Sequence, residues 1–147
     1  FRTYSQPTDK RSALIKELNG SPIPGVMARS IDQLRLLTIP DGKGSHTIVE
    51  QTTRAPNTRT PIHLHDFGGI TCVIEGEMTL FLENALPKRA IAGECYYMPA
   101  GLMMVGFNSG FTNAVMHDIF TTPVDSPVWR VIEEGSYSLQ DQFEKHH

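Results

Sequence analysis

The chain has 147 residues, about one domain's worth, and its 39% hydrophobic and 20% charged residues are the balance of an ordinary soluble globular protein. A formal net charge of −3 offers no basic face for phosphate backbones, which argues against a nucleic-acid partner. No apolar run reaches the roughly 18 residues of a membrane-crossing helix, so no membrane partner is expected.

Residues 1–11 are polar. Ser12 then precedes a helix-forming run ended by Asn19-Gly20, which predicts one short N-terminal helix. So short a helix must dock on something to persist. A breaker cluster, SPIPG, follows at 21–25. From there short apolar or alternating runs recur at 33–39, 46–53, 70–74, 78–82, 95–98, 114–120 and 128–132, with turn residues such as Asp41-Gly42, Glu75-Gly76 and Asn108-Ser109-Gly110 between them. Many short strands with no room for helices predict an all-β protein, an antiparallel sandwich or barrel. The expected division is an N-terminal segment at 1–29, a barrel at 30–122, and a C-terminal strand and acidic tail at 123–147. That tail reads as a surface tail or a strap across a neighbouring subunit. His146 and His147 read as the remnant of an affinity tag and are left out of the chemistry. A start at Phe1 suggests a trimmed N-terminus and leaves open both a cytoplasmic location and export after signal cleavage. Cys72 and Cys95 fall in apolar runs and are expected to be buried thiols behaving as small hydrophobes. A bridge between them needs a Cα approach that spacing alone does not show.

From Asn57 to Gly76 the chain reads NTRTPIHLHDFGGITCVIEG, and from Gly93 to Asn108 it reads GECYYMPAGLMMVGFN. These two stretches resemble the paired motifs of the cupin superfamily. The first motif runs Gly, five residues, His-x-His, three or four residues, Glu, six residues, Gly. The second runs Gly, five residues, Pro-x-Gly, two residues, His, three residues, Asn. Asn57 stands at the first Gly, His63 and His65 at the His pair, and Gly76 at the close. Gly93, Pro99, Gly101 and Asn108 keep the second motif's spacing. The resemblance covers about residues 30–122 and implies a single-domain double-stranded β-helix, a cupin or jelly-roll-like antiparallel barrel around one polar pocket. Two metal-ligand positions depart from it: Gly69 replaces the Glu and Met104 replaces the His. The resemblance therefore implies a divalent transition metal (Zn, Fe, Mn, Ni or Cu) held weakly by His63 and His65, or no metal at all.

A second likeness lies in Met116-His117-Asp118-Ile119-Phe120, which is similar to the terminal strand of small cupins that process unsaturated uronic acids in pectin breakdown. It implies Asp118 as a pocket-facing catalytic acid and Phe120 as a pocket wall. His63 and His65 are two apart, so on a strand they share a face. Gly69 leaves space for substrate or marks a bend, and Met104 is a pocket floor or core filler. Of Glu50 and Gln51, one faces the pocket, and Gln51 is taken as that residue. Tyr96, Tyr97 and Trp129 read as packing or subunit-contact residues.

The expected function is proton transfer on a small polar organic molecule, as in an isomerase, cyclase or lyase. His63 and His65 would hold a metal or the substrate, and Asp118 would serve as acid or base. The alternative is a non-catalytic barrel that binds or senses a small ligand. An oxygen-activating iron site is a third reading, and only Asp118 or Glu50 could complete it. A homodimer is expected, since the edges of a small barrel need cover.

Overall fold

The computed structural model describes residues 17–133, and these contain strands and no helix. In chain order the strands are β1 (Glu17–Leu18), β2 (Ser21–Pro22), β3 (Val26–Met27), β4 (Asp32–Pro40), β5 (Ser45–Arg54), β6 (Thr58–Arg59), β7 (His63–Leu64), β8 (Gly69–Glu75), β9 (Glu77–Leu82), β10 (Lys88–Ile91), β11 (Cys95–Met98), β12 (Met104–Phe107), β13 (Ala114–Pro123) and β14 (Arg130–Val131). The expected N-terminal helix lies outside the described residues except at its end, where Glu17 and Leu18 pair as a strand with β2. Of the acidic tail, only Glu133 is described, and it is buried rather than at the surface.

Two sheets face one another. One has the order β11-β8-β13-β5-β4; the other runs β10-β9-β12-β6-β3, with β7 bridging β12 and β14. All pairings are antiparallel except β3 with β6. Strand alternation decides what enters the interior. On β5 the buried residues are Ile48, Glu50, Thr52 and Arg54, and on β13 Met116, Asp118 and Phe120 share the inward face. Ile48, Val73, Met78, Leu80 and Met104 fill the space between the sheets.

The turns explain the motif residues. Asn57 takes φ 62°, the left-handed conformation that Asn tolerates better than other side chains. Gly76 links β8 to β9 at φ 77°, and a Cβ there would stand 2.8 Å from the Asn113 carbonyl oxygen, so only glycine fits. Asn108 is fully buried and donates from Nδ2 to the carbonyls of Arg54 and Thr112, both at 2.9 Å. It pins the end of β5, and with it the backbone that carries Arg54.

The two cysteines are joined, which corrects the expectation of free thiols. Cys72 on β8 and Cys95 on β11 stand directly opposite in the ladder, on the sheet face turned away from the cavity, and Cys95 is exposed.

Candidate functional site

Between the sheets lies a cavity of about 340 Å³. His63, His65, Met104, Asp118 and Phe120 line it, as do Thr52, Arg54, Thr71, Tyr96 and Trp129, none of which was singled out for the site.

The imidazoles stand at one part of the wall. Their ring centroids are 4.9 Å apart and edge to face. His63 donates from Nδ1 to the Pro61 carbonyl and His65 from Nδ1 to the Val128 carbonyl, each at 2.8 Å. A carbonyl only accepts, so each Nδ1 carries the proton and each Nε2 keeps its lone pair. Burial favours the neutral rings. It pushes His65 down to about 4, and it holds His63 well below the usual imidazole range, with the neighbouring His65 adding to the effect. Phe120 stacks on His65 at 4.7 Å, and Trp129 leans on His63 at 4.7 Å.

Asp118 stands on β13, opposite Glu50 on β5 and Thr71 on β8. Its carboxyl accepts from the Thr71 hydroxyl at 2.7 Å and the Thr52 hydroxyl at 2.8 Å. Burial raises its pKa, the two hydroxyls oppose that rise, and Glu50 adds to it. Tyr96, buried and near Asp118, is pushed above the ordinary phenol range by the same burial. Arg54 reaches in from the end of β5; burial lowers it to about 10, so it stays a cation at neutral pH. No hydrogen bond joins Asp118 to either imidazole, so a molecule in the cavity would have to bridge them.

Two expected pocket residues lie elsewhere. Gln51 points out of the barrel, because alternation on β5 sends Glu50 and Thr52 inward, and it hydrogen-bonds His117 at 3.1 Å on the outer face. Glu50 is itself engaged by Gln33 at 2.9 Å and Arg35 at 3.0 Å. Gly69 does not line the cavity: a Cβ there would come 2.4 Å from the Phe120 ring, so the space left by the missing Glu is filled by that ring. Arg54 and Thr52 could have been found by counting inward from Ile48 in steps of two, and Tyr96 by the same count from Met98. Nothing in the sequence pointed to Trp129, which arrives on the segment leading into β14.

The donor set does not fit a transition-metal centre of the four-ligand kind. Among the described residues no three His, Cys, Asp or Glu side chains are grouped to hold a metal ion. Neither Asp118 nor Glu50 completes a set with the His pair, and where the other ligands would stand are the Phe120 ring and Met104.

The imidazoles have a consequence for stability. A histidine depressed in the folded state is protonated first in the unfolded chain, so stability is lost as pH falls from 6.5 toward about 4. For His65 this amounts to about 3 kcal/mol across that window, from about 1.4 kcal/mol per pH unit. Asp118, whose pKa is raised, works in the opposite sense above 3.8 and is common to wild type and variant. Urea unfolding between pH 4 and 7 should therefore be steeper in pH for wild type than for His65→Gln. Equal slopes would show that His65 is not held neutral.

The architecture is that of a double-stranded β-helix: two antiparallel sheets rolled about one polar interior. The chain is a single-barrel cupin in fold. No protein-family model matches its sequence, and no curated protein matches it closely. Solved structures do match it. A cupin-like protein from Thermotoga maritima superposes with a TM-score of 0.59 at 18% identity, over 75% of this chain and 81% of that one. An RmlC-like cupin with a double-stranded β-helix fold from Methanocaldococcus jannaschii gives 0.53 at 20% identity, over 65% and 83%. The DMSP lyase DddQ from Ruegeria pomeroyi gives 0.57 at 15% identity over 69% of this chain, which spans about half (51%) of the lyase.

Proposed function

We propose that the barrel binds a small polar organic molecule and moves a proton on it, as an isomerase, cyclase or lyase does. The observation that carries this reading is the meeting of two imidazoles and a carboxyl in one cavity. His63 and His65 spend Nδ1 on backbone carbonyls and leave Nε2 open, Asp118 lines the same cavity, and burial disfavours the charged form of all three. An unprotonated imidazole nitrogen and a carboxyl facing one cavity are the parts of general acid–base catalysis. The DMSP lyase of similar fold agrees with a lyase assignment without requiring it. Incubating the protein in deuterium oxide with small hydroxy and keto compounds, then following carbon-bound hydrogen by NMR, tests the reading. Exchange at a carbon next to a carbonyl supports it. Molecules that bind without exchange, elimination or rearrangement favour the second reading, a non-catalytic ligand-binding barrel. Gly69 and Met104 at two ligand positions are the observation on that side.

We also propose that the barrel pairs as a homodimer through the outer face of the five-stranded sheet. Register places Leu37, Val49, Ile119, Ile70 and Tyr97 in one row across all five strands. Leu37 is 50%, Ile70 41% and Tyr97 64% exposed. A row without charge suits a like face in a twofold contact, and contiguous apolar patches on this scale mark interaction sites. Light scattering at tens of micromolar should give a dimer mass, and Ile70→Lys, which sets like charges against each other across the axis, should give a monomer with an unchanged circular dichroism spectrum. A monomeric wild type would end this proposal.

A further inference from the structure

Arg54 is a buried cavity residue whose chemistry the proton-transfer reading leaves unused. It is 5% exposed and makes its protein hydrogen bonds through Nη1 alone, to the Ala28 carbonyl at 2.8 Å and the Thr58 hydroxyl at 3.4 Å. Its Nε and Nη2 donate to no group among the described residues, and no carboxylate there makes an ion pair with it. Neither nitrogen is fully buried, and the residue lines the cavity. A buried guanidinium without a counter-ion is costly and is normally found paired. Its Nε–Nη2 edge presents parallel N–H groups whose spacing matches the two oxygens of a carboxylate.

The surrounding charge narrows the ligand further. Burial disfavours charge on both imidazoles and on Asp118, and Glu50 is engaged by Arg35. Arg29 and Asp32, the exposed charged residues that also line the cavity, are of opposite sign, so the buried cation Arg54 is matched best by a ligand with one negative group. A doubly charged phosphate would leave an excess negative charge beside Asp118 and Tyr96. Trp129, Phe120 and Met104 supply apolar wall around the imidazoles for the rest of the molecule.

We infer that the cavity is a monocarboxylate site, in which the ligand's carboxylate docks bidentate on the open edge of Arg54 while its remaining atoms lie toward His63 and His65. This names the ligand class for the proton-transfer reading and rests on that reading's cavity, though not on its chemistry.

Trp129 is the chain's one tryptophan and lines the cavity, so its fluorescence reports occupancy. The wild-type protein would be titrated with a series of short monocarboxylates, with the primary amide of each acid, and with inorganic phosphate. Each acid should bind more than about tenfold tighter than its amide, because the amide leaves the guanidinium uncompensated. Arg54→Gln should weaken the acids on the order of a hundredfold and leave the amides little changed. Arg54→Lys, which keeps the charge but not the fork, should fall between. Acids and amides binding alike, phosphate binding best, or no acid binding would each overturn the inference. The wild-type comparison stands even if the variants fold poorly. Acids that bind selectively but show no proton exchange would leave the monocarboxylate site intact and remove the catalytic reading alone.

Discussion

Asp118→Asn should lower turnover on any substrate of this cavity by about 10²- to 10⁴-fold, the range that a positioned acid or base contributes, with no loss of stability at neutral pH. The stability half follows from sign. A carboxyl whose pKa is raised by folding is a group whose ionised form the fold disfavours, so ionising it above that pKa costs stability and replacing it with a neutral amide removes the cost. The Thr52 and Thr71 hydroxyls can rotate to serve an amide as well as a carboxyl. The activity half follows from proton habits. If Asp118 acts as the acid, activity falls as pH rises through its elevated pKa, and it falls again at low pH as the imidazoles take up protons, His65 near 4. The variant should lose the alkaline limb and keep the acid one. His117→Ala is the control: one position away, His117 lies on the outer face against Gln51, and its loss should change turnover little. A rate loss with both limbs preserved, or an equal loss in His117→Ala, would show that Asp118 shapes the pocket without exchanging a proton.

The fold was legible because its signals are local. Asn57, Gly76, Gly93 and Gly101 all carry positive φ, as the turns of the two motifs require, and strand alternation needs no distant information. The His pair was legible for the same reason. What escaped were residues whose meaning depends on which strand lies opposite. Cys72 and Cys95 are joined because the ladder sets them face to face, and no spacing rule predicts that register. Gln51 was misplaced because alternation alone does not say which of two neighbours faces inward; the partners that make the burial of Glu50 tolerable, Gln33 and Arg35, come from β4. Gly69 read as room for substrate or as a bend, and only the packing shows the Phe120 ring against it. Trp129, read as a packing or subunit-contact residue, lines the cavity next to Val128, whose carbonyl holds His65. Sequence thus marked His63, His65 and Asp118, all of which line the cavity, but not the cation Arg54.

Glu133→Gln should destabilise the barrel by about 3–5 kcal/mol, the usual cost of stripping one partner from a buried ion pair, and should disturb the imidazoles before it unfolds the chain. Glu133 accepts from Arg59 through both oxygens, at 2.8 and 3.1 Å, and from the Ile62 amide at 2.9 Å. The amides of Ile132 and Glu133 in turn donate to the Ile62 carbonyl at 2.9 and 3.1 Å. This clamp closes the chain that carries β14 onto the bend before β7, where Arg130 pairs with Leu64 and Val131 with His63. Upstream of the clamp are the Val128 carbonyl that orients His65 and the Trp129 ring that covers His63. With a glutamine the Ile62 contact can persist, but the Arg59 guanidinium is left buried without a counter-charge. For a chain of this size the loss corresponds to a fall in Tm on the order of 10 °C. Loosening should show first as a red shift of Trp129 emission at temperatures below the transition, as water reaches the cavity wall. The double variant Arg59→Met, Glu133→Leu removes both charges together and should recover much of the stability, because the penalty in the single variant comes from the stranded cation rather than from the loss of a favourable pair. A single variant that melts with wild type, or a double variant no better than the single, would mean that the clamp does not hold the strap over the imidazoles.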